Sequence, residues 1–417
     1  MRICENQEVI LGAPGCGKTS TILEKIEADL VSVTPDKVAL VSFTRKAVGE
    51  AVERVSSRFN LTKDKLPLFQ TIHAMCYRLL GCKKTDLMTR QDYNELGTLL
   101  GYQINAAIST EDGALLLTDQ EKGTKLLFID NMARTMRKPL QDAWKESNIG
   151  IGWAEVERFA KGYSKYKEQT GKMDFTDILD KYISEGEPID VSVAYIDEAQ
   201  DLSRIQWEVL AKCFSRAEKV VIAGDDDQSI FKWSGADLKT FLSLEGEKLV
   251  LAHSYRLPVT VFKKAASVIG RVKQRFAKQF TSTTNTGRIF YVGSLDSVKI
   301  DPQVKTMILV RNVYLLPSVY EFLRLRGINF TGRGDYQSVE KDHVHAIIAW
   351  EKMRRGDCIS LDETKLIYDN LRVGVVLARG GKAALNALDK SDEYFTWETL
   401  RDHYGLLDKP IWHSALI

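Results

Sequence analysis

A doubly wound α/β sheet is predicted for this chain of 417 residues, and three observations predict it. Short apolar runs alternate with helix-periodic stretches at the start of the chain. The first of these runs leads directly into Gly12 to Thr19 (Gly-Ala-Pro-Gly-Cys-Gly-Lys-Thr), and a later one ends in the acid pair Asp197 and Glu198. Strands buried on both faces read as continuous apolar runs, and strand–helix alternation marks a sheet covered by helices on both sides. Such sheets bind ligands at the carboxyl ends of their strands, where the glycine-rich stretch and the acid pair both fall.

Glu8 to Leu11 is the first strand, and Thr21 to Leu30 carries apolar residues at helical spacing. Between them lies a P-loop pattern. Its glycines let backbone N–H groups turn inward around a phosphate, Lys18 brings a cation to the β/γ-phosphates, and Thr19 offers a hydroxyl to Mg²⁺. Gly12, Ala13, Gly15, Cys16, Gly17, Lys18, Thr19 and Ser20 are the candidate nucleotide-binding residues, with ATP and Mg²⁺ as cofactors. A glycine turn matching by chance is the alternative, but the flanking strand and helix are the context a phosphate loop needs.

Lys37 to Phe43 is a second buried run, followed by a helix with apolar residues at Val48, Ala51, Val52 and Val55. Leu68 to Thr71 is a third short strand and Ile72 to Tyr77 begins a helix. From Lys83 to Ile151 the chain is mostly helical and polar without a clear strand, which reads as an inserted helical subdomain. Glu155 to Gln169 is an amphipathic helix leading to Met173 to Leu179.

Val191 to Ile196 is a strand that delivers Asp197 and Glu198. One carboxylate can hold Mg²⁺ through water, and the next can orient or deprotonate an attacking water. Acidic residues end many strands, so the pair gains its meaning from the P-loop. Lys219 to Ala223 is another strand, running into Gly224 to Ala236 with adjacent Asp225, Asp226 and Asp227. These repel one another and need cations, donors or solvent nearby. One reading is a solvated acidic turn. The other is a sensor loop, with Gln228 at the γ-phosphate and Phe231 and Trp233 as stacking faces. Lys248 to Ala252 precedes His253 to Arg256. An arginine beyond a strand end can meet transition-state charge, although a surface salt bridge is its default role.

After about Phe276 the character shifts. Thr281 to Thr286 reads as a linker, Arg288 to Val292, Thr306 to Val310 and Ile328 to Thr331 as strands, and Pro317 to Arg326 as a helix. Val344 to Met353 is helical, and Thr364 to Asp389 reads as helices broken at Gly380 and Gly381. The expected domains are 1–84 with 152–275, the insertion 85–151, a partial second α/β domain 276–335, and a helical segment 336–417.

Lys+Arg 58 against Asp+Glu 56 leaves a net charge of +2, so any basic footprint must be local. The six cysteines and six histidines are scattered without pairing or metal-ligand spacing. No apolar run nears the roughly 20 residues that cross a bilayer. No signal-peptide pattern opens the chain, so a cytoplasmic location without a membrane partner is expected.

The motifs also stand in one fixed order, and that order resembles superfamily 1A DNA helicases of the UvrD/Rep/PcrA type. Residues 12–19 resemble motif I, 42–47 motif Ia, 71–73 motif Ib and 174–179 motif Ic. Residues 195–201 are similar to motif II and 224–236 to motif III. Ser254 to Arg256 and Ile308 to Asn312 resemble the segments around motif IV. The likeness spans roughly residues 9 to 335.

The resemblance implies a RecA-like motor domain 1A with helical insertion 1B, the start of a second RecA-like domain 2A, and the start of subdomain 2B. It implies that Lys18 and Thr19 bind phosphate and Mg²⁺, Asp197 the metal, and that Glu198 is the catalytic base. Gln228 would couple the γ-phosphate to the DNA groove, Tyr255 stack on adenine and Arg256 contact the γ-phosphate. Phe43, Phe231 and Trp233 would stack on bases, with Thr44, Thr71, His73 and Arg311 holding single-stranded DNA or a ss/ds junction. Such stacking is sequence-tolerant and worth about 1–3 kcal/mol per base. Core packing is the alternative for each aromatic, for Phe43 above all.

Two departures stand out. The family's adenine-reading glutamine lies further upstream of the P-loop, and Gln7 is too close to the loop to be assumed to substitute. Motifs V and VI are not found, so a protein partner or a C-terminal portion would have to supply them. The expected function is an ATP-dependent helicase or translocase on single-stranded DNA, 3′ to 5′ by resemblance, in a form expected to be truncated and to unwind weakly or not at all alone. The alternative is a nucleotide-dependent DNA-binding or regulatory module. A small-molecule P-loop kinase is a third reading, with ATP hydrolysis indifferent to DNA.

Overall fold

The structure, a computed structural model, describes residues 1–42, 45–105, 121–301, 303–333, 336–338, 341–371, 373, 376–388 and 394–407. Phe43 and Thr44 therefore lie outside the described residues. The chain forms two compact units, Met1–Ile289 and Phe290–Ile417.

In the first unit the chain runs β1 (Gln7–Gly12), α1 (Lys18–Asp29), β2 (Val38–Ser42), α2 (Arg45–Phe59), β3 (Phe69–Thr71) and α3 (Ile72–Leu79). Then come α4 (Arg90–Leu100), α5 (Lys122–Thr135), α6 (Leu140–Ser147), α7 (Trp153–Thr170) and α8 (Phe175–Glu185). The unit closes with β4 (Val193–Asp197), α9 (Arg204–Cys213), β5 (Lys219–Gly224), α10 (Leu238–Leu242), β6 (Glu247–Leu251) and α11 (Val259–Ile269).

The six strands form one parallel sheet in the order β3-β2-β4-β5-β1-β6. Alternate residues feed two separate cores, as a period of two requires. Val9, Leu11, Val220 and Ile222 pack on one face with Trp207 and Phe214; Ile10, Val221 and Ala223 pack on the other with Ile22 and Val52. This double burial is why the sequence shows continuous apolar runs. Register then fixes the site: Leu11 lies opposite Gly224, Gly12 opposite Leu251 and Ser42 opposite Asp197.

Helices α4 to α7 enclose a core of their own, including Tyr93, Leu96, Leu126, Phe159 and Tyr163. That core runs through α7 to Tyr166, past residue 151, where the sequence reading closes the insertion. Asp174 to Asp177 begins α8 with a capping box: each residue's backbone N–H donates to the other's carboxylate at 2.8 Å. The same carboxylates bind the insertion. Arg134 of α5 reaches Asp174 and Asp177 (3.1 Å each from Nη1) and Asp130 (2.9 Å), while Lys167 of α7 reaches Asp177 at 2.7 Å. Tyr163 donates its hydroxyl to Asp174 at 2.6 Å. Burial alone would raise the Asp174 carboxyl, but Arg134 and Lys167 outweigh it and hold it well below the usual range.

The second unit departs from expectation. It contains α12 (Leu316–Leu325), α13 (Lys341–Arg354), β7 (Ile359–Ser360), α14 (Leu361–Asn370), α15 (Gly381–Asn386), β8 (Tyr394–Phe395) and α16 (Trp397–Tyr404). The runs 288–292, 306–310 and 328–331, expected as strands of a second parallel sheet, form no strand among the described residues. Ile308 and Val310 pack toward α12, whereas Met307 and Leu309 are 80% and 85% exposed. The in–out alternation is present, but among the described residues no neighbouring backbone completes a ladder, Thr331 making only an isolated bridge to Gln337, and a strand exists only through pairing. A second core around Trp350, Tyr368 and Phe395 joins α13, α14 and the antiparallel β7–β8 pair. No helix among the described residues is long and apolar enough to cross a membrane.

Arg134→Met would leave three carboxylates facing Lys167 alone. It is expected to destabilise the chain by about 3 kcal/mol or more in denaturant unfolding, because a broken buried pair leaves uncompensated charge. An unfolding midpoint equal to that of the parent chain would refute this account of the network.

Candidate functional site

The site assembles at the carboxyl ends of β1, β4, β5 and β6. Beyond Gly12 the loop closes with Cys16 N–H donating to the Ala13 carbonyl at 3.2 Å, and Gly15 and Gly17 take φ values of 74° and 83°. Gly17 is also the N-cap of α1 and supplies no side chain, so the first-turn N–H groups are left to a ligand. Lys18 is buried and donates to the Gly12 carbonyl at 2.9 Å, folding back over its own loop. Cys16 is buried too, and burial pushes its thiol up. Ser20 follows on α1.

Thr19 donates its hydroxyl to Asp197 Oδ2 at 3.2 Å, joining α1 to the end of β4. Asp197 is buried, and burial together with the charge of Glu198 pushes its carboxyl up to about 6. The Glu198 N–H at 2.9 Å, Lys18 and Thr19 act in the opposite sense. Glu198 itself sits in the left-handed region at φ 52°, a conformation that costs a non-glycine residue of order 1 kcal/mol or more and that clusters at functional sites. Gln200 was not singled out from the sequence, yet it connects the site. Its side-chain amide donates through Nε2 to Glu198 Oε2 at 2.8 Å and accepts the Asp225 N–H at Oε1 at 2.9 Å. The signal available was a polar residue two positions after the acid pair at a strand end, with no local pattern to show its partner.

The aspartate run is not a solvated turn. Asp225 and Asp226 are buried, and Asp225 Oδ2 accepts the Gln228 amide at 2.6 Å. The cations it needs are Lys278, 2.7 Å from Asp225 Oδ1 and also bonded to Asp226, and Arg275, whose Nε lies 2.8 Å from Asp227. The sequence gives no local hint of these partners, which are 48 to 53 residues away. Gln228 and the P-loop residues Ala13 and Pro14 line one cavity of about 610 Å³, so Gln228 and the loop face a common space. Three residues on, Phe231 and Trp233 sit on a short turn with ring centroids 6.3 Å apart, and Trp233 is 47% exposed.

Ser254, fully buried, donates to the Pro14 carbonyl at 2.7 Å, and the Tyr255 N–H donates to the Gly15 carbonyl at 2.9 Å. A Cβ on Gly15 would lie 2.4 Å from Arg256 Cβ, so only glycine permits this approach. Arg256 is thereby carried to the rim of the loop. Tyr255 is 75% exposed, its ring edge-on to His253 at 4.7 Å.

Other candidates lie apart. Thr71 caps α3 by accepting the Ala74 N–H at 3.4 Å. His73 meets Phe175 edge-on at 5.9 Å, and burial lowers its pKa to about 4 against the pull of Asp174, so it is neutral at pH 7. Arg311 belongs to the second unit, where it is exposed. Gln7 lies at the opposite end of β1. Its amide is spent on backbone, accepting from Ile3 N–H at 2.8 Å and donating to the Glu245 carbonyl at 2.6 Å. It cannot serve as a base reader.

Against known proteins, the family model described as UvrD/REP helicase N-terminal domain matches residues 2–248, which takes in β1 to β5 and the first residues of β6. The chain is 27% identical over 324 residues to the ATP-dependent DNA helicase PcrA of Staphylococcus aureus (strain Mu50), covering 70% of this chain and 42% of that protein. PcrA of Staphylococcus epidermidis (strain ATCC 12228) is 26% identical over 314 residues, covering 69% of this chain and 41% of the relative. This chain thus spans less than half the length of those relatives. With that match over more than half of its residues, on a RecA-like sheet carrying the P-loop and acid pair, the chain belongs to the UvrD/REP helicase family.

Proposed function

We propose that the chain is the ATP-hydrolysing, strand-gripping part of a helicase that moves along single-stranded DNA. One observation carries this reading: an unbroken hydrogen-bonded path runs from Glu198 through Gln200 and Asp225 to Gln228, on the loop that displays Trp233. Such a path gives the loop a physical means to respond to events at the phosphate site.

The oxygen donors of Thr19 and Asp197, buried and adjacent at the mouth of the P-loop, fit Mg²⁺, a hard cation that prefers carboxylate, hydroxyl and phosphate oxygens. Bound there with nucleotide, Mg²⁺ would neutralise charge on the β- and γ-phosphates. The chain's own groups do the rest. Lys18 exchanges the Gly12 carbonyl for a phosphate oxygen, and first-turn N–H groups of α1 hold the same anion. Glu198, fixed by Gln200, orients the attacking water and accepts its proton. Arg256, held over Gly15, meets developing charge, and Tyr255 offers a stacking face to adenine. Gln228 reads the terminal phosphate. On the nucleic-acid side, Phe231 and Trp233 stack on bases, with Phe43, Thr44, Thr71, His73 and Arg311 as further strand contacts. Their footing differs, since Thr71 is already a helix cap. Movement 3′ to 5′, and action at ss/ds junctions, follow from the family likeness.

Trp233→Ala should leave Mg·ATP binding near that of the parent chain, Gln228→Ala should weaken it about tenfold, and both should reduce oligonucleotide stimulation of hydrolysis at least tenfold, a loss of about 1.4 kcal/mol in coupling. Stimulation unchanged in both variants would sink the reading.

Asp197 generates a pH prediction. Its carboxyl titrates higher folded than unfolded, so the ionised form destabilises the ligand-free chain above about pH 6. Asp197→Asn should therefore stabilise the nucleotide-free protein at pH 8 by on the order of 1–3 kcal/mol, seen as a higher melting temperature, and the gain should fade toward pH 4. The same variant should lose Mg²⁺-dependent nucleotide affinity. Equal melting temperatures at pH 8 would contradict this placement of the carboxylate.

A further inference from the structure

The cations that neutralise the aspartate run come from a segment outside every motif named above. The side chain of Lys278 is buried, as are those of Asp225 and Asp226. Buried ion pairs add little net stability when compared with apolar replacements, whereas they do fix geometry. Here the geometry fixed is specific. Asp225 is a fork: Oδ1 takes Lys278 at 2.7 Å and the Asp227 N–H at 3.2 Å, while Oδ2 takes the Gln228 amide at 2.6 Å. Its own N–H is held by Gln200, which also holds Glu198. Of the two side chains that Asp225 binds only Lys278 is itself charged, so the ammonium sets the plane of the carboxylate and the amide of Gln228 follows.

The segment carrying Lys278 is itself pinned beside the P-loop. Phe276 N–H donates to Asp226 Oδ2 at 2.8 Å, and Arg275 pairs with Asp227. Thr281 N–H donates to the Ala252 carbonyl at 2.7 Å, and Ser254 N–H donates to the Thr281 carbonyl at 2.9 Å. Residues 275–281 therefore brace the Gln228 loop and the strand end bearing Tyr255 and Arg256. Removing Lys278 would free Asp225 to turn toward other donors and unaim Gln228.

We propose that Lys278 is a positioning residue that, through Asp225, aims the Gln228 amide at the terminal phosphate of the bound nucleotide. The proposal rests on the nucleotide reading given above, and the two fail separately. The test is the dissociation constants of Mg·ADP and Mg·ATPγS, measured by calorimetry on the full chain, its Lys278→Met and Lys278→Arg variants, and the double variant Asp226→Asn/Lys278→Met. The double change removes one charge of each sign and so keeps the net charge of the cluster unchanged if the single change unfolds the chain.

The parent chain should prefer ATPγS to ADP. Lys278→Met and the double variant should narrow that preference about tenfold with ADP affinity little changed, as expected for one misdirected hydrogen bond to a charged group. Lys278→Arg should restore part of it. A purely structural lysine would weaken both nucleotides equally or leave the preference intact, and either result overturns the proposal. A parent chain that binds both nucleotides without preference also overturns it. A parent chain that binds neither removes the nucleotide reading itself.

Discussion

Parallel pairing in a sheet buried on both faces is the constraint on which the rest depends. It sends the carboxyl end of every strand to one edge, so residues far apart in sequence converge without any attraction between them. Gly12, Asp197, Gly224 and Leu251 end four strands, and the register of β1, β4, β5 and β6 brings their following loops together. The apolar interior supplies the driving force, at about 25 cal/mol per Å² of apolar surface buried. The polar chemistry at the edge is sited by that interior and contributes little to it.

Two buried charge clusters show what the polar groups do contribute. Around Arg134 they join the helical insertion to α8, tying α5, α7 and the Asp174–Asp177 cap into one body. Around Lys278 they hold a loop whose orientation matters to its neighbours. In both, carboxylates outnumber the cations that face them, and the central cation, Arg134 or Lys278, is shared among three of them. Shared partners of this kind give stiffness rather than net stability.

Much of the first unit was legible because its signals are local. Continuous apolar runs mark doubly buried strands, and the P-loop and acid pair announce themselves by composition within a few residues. The need of Asp225 to Asp227 for cations was also readable, but their source was not. Lys278 and Arg275 sit some 50 residues downstream with no periodicity linking them to the loop. Gln200 was hidden for a related reason, since its importance lies in joining Glu198 to Asp225, a contact only the sheet creates. In the second unit the alternation of Met307 to Val310 reads as a strand, yet pairing is a property of two segments, and one segment's pattern cannot supply it.

The fold-back of Lys18 onto the Gly12 carbonyl has a consequence for selectivity among anions. Its ammonium already has an internal acceptor at rest, so a visiting oxyanion gains only the difference between that bond and the new one. A small, singly or doubly charged ion such as sulfate offers little surplus. A polyphosphate that engages the helix amides and the hydroxyl of Thr19 at the same time offers several contacts for one displaced. The ligand that best offsets the loss of that one bond is therefore one long enough to touch all the parts of the cradle together.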